Sequence, residues 1–120
     1  MKYTFEAQIL DIDEHPYYSI NVEEKLFYTI GRFSDSGWTP TKIQKIIDGL
    51  EQSKTKPKGE EFLWGNEDVN LYANENGVLL IDVMAQRAKQ YDPDVITLRL
   101  THEEIINFLQ DFKKFVEENS

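Results

Sequence analysis

The chain has 120 residues, no cysteine and two histidines, with 22 acidic against 13 basic side chains and a formal net charge of −9; 40% of it is hydrophobic and 12% aromatic. Without cysteine there is no disulfide, no thiol nucleophile and no thiolate zinc site, and a strongly acidic field repels phosphate backbones. A chain of this length and apolar content is expected to form one domain, residues 1–120, with a core of its own.

The charge is uneven. Residues 1–41 hold three basic and seven acidic side chains, residues 42–58 five lysines against Asp48 and Glu51, and residues 59–120 five basic and thirteen acidic. The implied partner is therefore a basic protein, steered in by opposite charge, although acidic surfaces also serve simply to keep small domains in solution. Met1–Glu6 lacks the apolar stretch of a signal peptide, and no segment approaches the length of a membrane span. Cytoplasmic residence, no membrane partner and no nucleic acid are the expectations.

In chain order, Tyr3, Phe5, Ala7 and Ile9 alternate with polar residues, which predicts a strand over about 2–12 with one buried face. Asp13-Glu14-His15-Pro16 reads as a turn, and Tyr17–Val22 as a strand pairing back on the first. Residues 23–33 admit two readings. Leu26, Phe27, Ile30 and Phe33 suit a short helix, whereas Leu26–Ile30 also suits a strand; the helix is the working expectation. Thr39-Pro40 starts a helix, with threonine as N-cap and proline at the first position. Ile43, Ile46, Ile47 and Leu50 then form one apolar stripe, to about Gln52. A lysine-rich loop over 53–59 follows.

Glu61–Trp64, Val69–Ala73 and Val78–Val83 read as strands, the last two joined through Asn74-Glu75-Asn76-Gly77, whose Asn-Gly pair takes positive φ readily. The almost wholly apolar Val78–Val83 is expected to be central. Met84–Tyr91 is taken as a strand extension ending in a loop, and Val95–Leu100 as the last strand. Thr101-His102-Glu103-Glu104 is a capping box. The helix it opens carries Ile105, Ile106, Leu109, Phe112 and either Phe115 or Val116 on its apolar stripe, with Lys113 and Lys114 toward its negative end. The fold class is thus α+β: an antiparallel sheet of about five to six strands with two main helices, about 40–52 and 102–118, packed on one face.

Chemistry-bearing motifs are sparse. Asp11, Asp13, Glu14 and His15 would hold a divalent cation only if they converged, and no second histidine or cysteine stands near them. His102, in the first turn of the final helix, would need a nucleophile or carboxylate opposite it to act as a base. No Gly-x-Ser-x-Gly elbow, His-Glu-x-x-His or phosphate loop occurs. No catalytic residue, cofactor or metal is therefore assigned. Trp38 and Trp64 are of a type enriched at interface hot spots, though core packing is the ordinary use of both. Lys54, Lys56 and Lys58 read as a solvated loop. The partner-binding residues expected from aromatics set among acids are Trp64, Glu67, Asp68, Tyr72 and Glu75.

Glu61-Phe62-Leu63-Trp64 followed by Glu67-Asp68-Val69 and Tyr72-Ala73-Asn74, then Ile96-Thr97-Leu98 and the closing Phe108-Leu109, Phe112 and Phe115-Val116-Glu117, resemble the YacL-type family over about residues 38–118. Those are short acidic bacterial proteins of unknown function. In kind rather than motif, the chain also resembles immunity proteins of bacterial contact-dependent toxin systems, small acidic α+β domains that cap basic nuclease toxins. Neither resemblance implies a catalytic residue. Together they lead to the expectation of a non-enzymatic antitoxin that neutralises a basic toxin through an acidic, aromatic-bearing face. A YacL-type housekeeping role through protein contacts is the alternative.

Overall fold

The computed structural model describes residues 1–9, 16–56 and 60–119. Residues 10–12 of the expected first strand, the turn at Asp13–His15 and Pro57–Gly59 of the lysine-rich loop lie outside them.

β1 (Tyr3–Ile9) and β2 (Pro16–Val22) pair antiparallel from Tyr3↔Val22 to Ile9↔Pro16, and the two-residue β3 (Asp35–Ser36) adds to β2. The alternation in β1 buries less than its pattern promises. Tyr3 and Phe5 are half-buried, but Ala7 and Ile9 are exposed, because only the first two rings lie over the C-terminal helix.

Of the two readings of this segment the helix holds: Lys25–Phe33 forms a nine-residue helix, of the 3-10 type. Three residues per turn place i and i+3 directly above one another, and Phe27, Ile30 and Phe33 follow that spacing. Ile30 and Phe33 are fully buried, while Leu26 and Tyr28 are exposed. The Ser34 hydroxyl ends the segment by accepting from the Ile20 amide at 2.9 Å.

Helix α1 (Pro40–Ser53) begins as its cap predicts, Thr39 Oγ1 accepting from the Lys42 amide at 3.2 Å, and it buries the Ile43, Ile46, Ile47 and Leu50 stripe. Then come β4 (Phe62–Gly65), β5 (Val69–Asn74) and β6 (Gly77–Asp82), with β6 interior as its apolar run foretold: the sheet order is β4-β5-β6-β7, all antiparallel, with β7 at Thr97–Leu100.

The strand extension expected from Met84 is instead helical, while its ending in an exposed loop by Tyr91 agrees with the structure. α2 (Val83–Arg87) starts under Asp82, whose side chain accepts from the Ala85 amide, and α3 (Pro93–Ile96) under Asp92, which accepts from the Asp94 amide. Asp82 at the end of an apolar run, and Asp92 just before Pro93, are N-cap signals that a strand reading passes over. The last strand consequently shortens to four residues.

α4 (His102–Glu118) has a complete capping box: Thr101 Oγ1 accepts from the Glu104 amide at 3.1 Å and Glu104 Oε1 from the Thr101 amide at 3.0 Å. Both candidates for the end of its stripe are used. Val116 is fully buried, and Phe115 packs half-buried against Phe5 and Tyr18.

The fold is α+β, but with two antiparallel sheets of three and four strands rather than one of five to six. After the 3-10 helix the chain returns to β2 as β3, and α1 then stands between that sheet and β4, so the two sets of strands do not join. Nor do the helices share one face of one sheet. α1 packs on β4, β5 and α4. α4 meets both sheets: Phe112 touches Phe5 of β1 and Tyr18 of β2, and α4 packs on β6; Phe112 also meets Trp38 in the loop before α1. One buried cluster runs through all of these elements. Among the described residues no helix is long and apolar enough to cross a membrane.

Candidate functional site

Strand alternation decides where the expected binding residues point. In β5, Val69, Leu71 and Ala73 are buried against the helices, so Tyr72 faces outward with Asn70 and Asn74. In β4 the outward residue is Leu63, whereas Phe62 and Trp64 face the core. Register then lines up a row across the outer face: Leu63↔Tyr72, Tyr72↔Leu79 and Leu79↔Arg99. Leu63 is 62% exposed, and Tyr72, Leu79 and Ile81 are half-buried. A shallow cavity of about 510 Å³ opens on this face, bordered by Glu61, Tyr72, Leu79, Ile81 and Arg99.

The five expected residues therefore do not form one patch. Trp64 belongs to the inner face. It is stacked on Phe33 at 5.3 Å and on Trp38 at 5.7 Å between ring centroids, and Trp38 is pinned by its indole N–H donating to the Phe33 carbonyl at 2.8 Å. Tyr72 is central to the outer face. Glu67 and Asp68 occupy the β4–β5 turn, which Asn66 shapes by accepting from the Asp68 and Val69 amides through Oδ1, both at 2.8 Å. Glu75 lies in the β5–β6 turn, at the other end of β5. Of the five, Tyr72 with the exposed Glu67 and Glu75 frames the outer face, to which the structure adds Leu63, Leu79, Ile81 and the exposed Glu61. The period of two, carried from β5 into β6, is the signal that finds Leu79 and Ile81.

The pair that comes nearest to nucleophilic chemistry is His102 and Ser53. His102 Nε2 stands 3.1 Å from Ser53 Oγ. Ser53, however, is fully buried, and its hydroxyl donates to the Leu50 carbonyl at 2.7 Å. The hydroxyl proton is thus committed and no substrate reaches the oxygen. The pair ties the C-terminus of α1 to the start of α4, so His102 is half-buried rather than a free surface residue.

Two further polar contacts hold elements together. Arg32 Nε donates to both carboxylate oxygens of Asp82, at 3.0 and 3.1 Å, joining the 3-10 helix to the residue that caps α2. The Tyr3 hydroxyl donates to Asp111, fixing β1 on α4. Burial first, and then the hydrogen bond to Asp111 and its charge, push the Tyr3 phenol well above the ordinary 10.0. Among the described residues no three histidine or carboxylate groups gather into a metal-sized cluster; Asp11, Asp13, Glu14 and His15 lie outside those residues. No family model, curated protein or solved structure matches the chain.

Proposed function

We infer that this chain is a non-enzymatic binding protein that engages a basic protein partner through the outer face of its four-stranded sheet, in the manner of a cytoplasmic immunity protein neutralising a toxin. The observation that carries this reading is the cross-strand row Leu63–Tyr72–Leu79, an aromatic and aliphatic centre with Glu61, Glu67 and Glu75 set around it. Productive interfaces have this composition: an apolar, aromatic centre that excludes water and a charged rim that guides encounter and register. Arg99, at the β7 end of the row, is the one basic side chain bordering the cavity among the described residues, so the acidic rim belongs to the β4–β5–β6 side.

The mechanism is occlusion. Charge steers the basic surface in, Tyr72 and Leu63 are then buried, and the partner's own active site is covered. The experiment is co-expression with a basic toxin encoded beside this chain's gene. The expected result is a stable complex and survival of the host, both lost in Tyr72→Asp. A chain that forms no complex, or a Tyr72→Asp variant that protects as well as the parent, contradicts the reading.

A further inference from the structure

A second concavity lies on the opposite side of β4 from the sheet face described above. It is a cleft of about 330 Å³ between β4, α1 and the loop that precedes α1. Trp38, Ile46, Phe62 and Trp64 supply its apolar wall. The volume is at the lower end of the range for small-molecule sites, whose usual form is an apolar cavity with a few placed polar groups.

Two side chains at this cleft favour an anion. Lys42 and Lys45 both border it, within the only part of the sequence where bases outnumber acids. Neither is paired with a carboxylate among the described residues; Lys42 Nζ donates to the Gly37 carbonyl at 2.9 Å, and Lys45 makes no such bond. Asn66 also borders the cleft. Its Oδ1 is held by two backbone amides, which fixes the side chain, and its Nδ2 is buried with no hydrogen-bond partner. Because that nitrogen is buried, a ligand in the open cleft does not reach it, and Asn66 braces the β4–β5 turn rather than offering a donor. Asp35 also borders the cleft, its Oδ1 accepting from the Ser36 amide at 2.7 Å, and sets one carboxylate charge against the two ammonium groups.

We propose that this cleft binds a small aromatic carboxylate, its ring against Trp38, Phe62 and Trp64 and its anionic group at the Lys45 ammonium. An apolar wall alone would accept any hydrophobe. The two ammonium groups, set against the single Asp35 carboxylate, select an anion. This site is separate from the outer sheet face and does not depend on the role assigned there.

The chain's only two tryptophans both border the cleft, so their two indole N–H resonances report occupancy directly. The full chain is titrated with trans-cinnamate, with cinnamamide as the uncharged analogue and with phenethylammonium as the cationic one. Cinnamate is expected to shift both indole signals saturably and to bind about tenfold more tightly than cinnamamide, as loss of a charge-assisted hydrogen bond implies. Lys45→Gln should remove most of that preference, and Lys45→Arg should retain it. Both changes are on an exposed helix position, so the folded spectrum serves as an internal control. Absence of a saturable shift, equal affinity for cinnamamide, or tighter binding of phenethylammonium overturns the proposal.

Discussion

Gly49 shows how one residue sets the cleft and the packing behind it. It sits in α1 directly beneath Phe62, and a Cβ there would overlap the ring. On propensity alone Gly49→Ala should stabilise a mid-helix position by about 1 kcal/mol. The overlap reverses the sign, since forcing a packed ring aside costs about 1–3 kcal/mol. Gly49→Ala should therefore lower the urea midpoint, and adding Phe62→Leu should recover much of the loss because the shorter side chain clears the new methyl. A single variant more stable than the parent would mean that Phe62 does not rest on α1. Nothing in the sequence distinguishes Gly49 from any other helical glycine; its reason for being there lies thirteen positions away, in a strand.

At the scale of elements, local chemistry was readable where it was self-contained. Thr39-Pro40 and Thr101 to Glu104 announce α1 and α4 because a cap is satisfied by neighbours a few residues on. Thr101→Ala should cost about 1 kcal/mol in thermal or urea melts, and Thr101→Asp should be close to neutral; two silent substitutions would place the helix start elsewhere. The 3-10 helix was less legible. Its apolar spacing of three at Phe27, Ile30 and Phe33 is compatible with an α-helix as well, so the pattern alone does not separate the two. The split into two sheets was not legible, because strand pairing is decided by what the intervening segment does rather than by the strands. The candidate site divides for the same reason. Trp64 and Tyr72 both read as aromatics among acids, and only the register Leu63↔Tyr72 reveals that they face opposite sides of the sheet.

For the molecule as a whole, two long-range electrostatic effects follow. The Tyr3 phenol, buried and bonded to Asp111, is raised above its unfolded value of 10.0, and burial raises Tyr18 as well. Above pH 10 the unfolded chain loses these protons before the folded one does, so the unfolded state binds fewer protons and stability falls with rising pH. The contribution is fully present below pH 10 and is lost as pH climbs toward the folded value. Urea midpoints should hold steady from about pH 8 to 9 and then decline, with a shallower decline in Tyr3→Phe; an unchanged slope in that variant would detach Tyr3 from the effect. The second effect is the net charge of −9, which reaches outward to a partner over roughly 10 Å at about 0.1 M salt. The association rate with the basic partner, followed by stopped flow from about 50 to 500 mM salt, tests the binding role most directly. Association should slow steeply with salt while dissociation changes little. Glu61→Lys with Glu75→Lys should slow association further, and Tyr72→Ala should speed dissociation. An association rate independent of salt, or a complex indifferent to all three substitutions, would contradict an acidic sheet face as the binding surface.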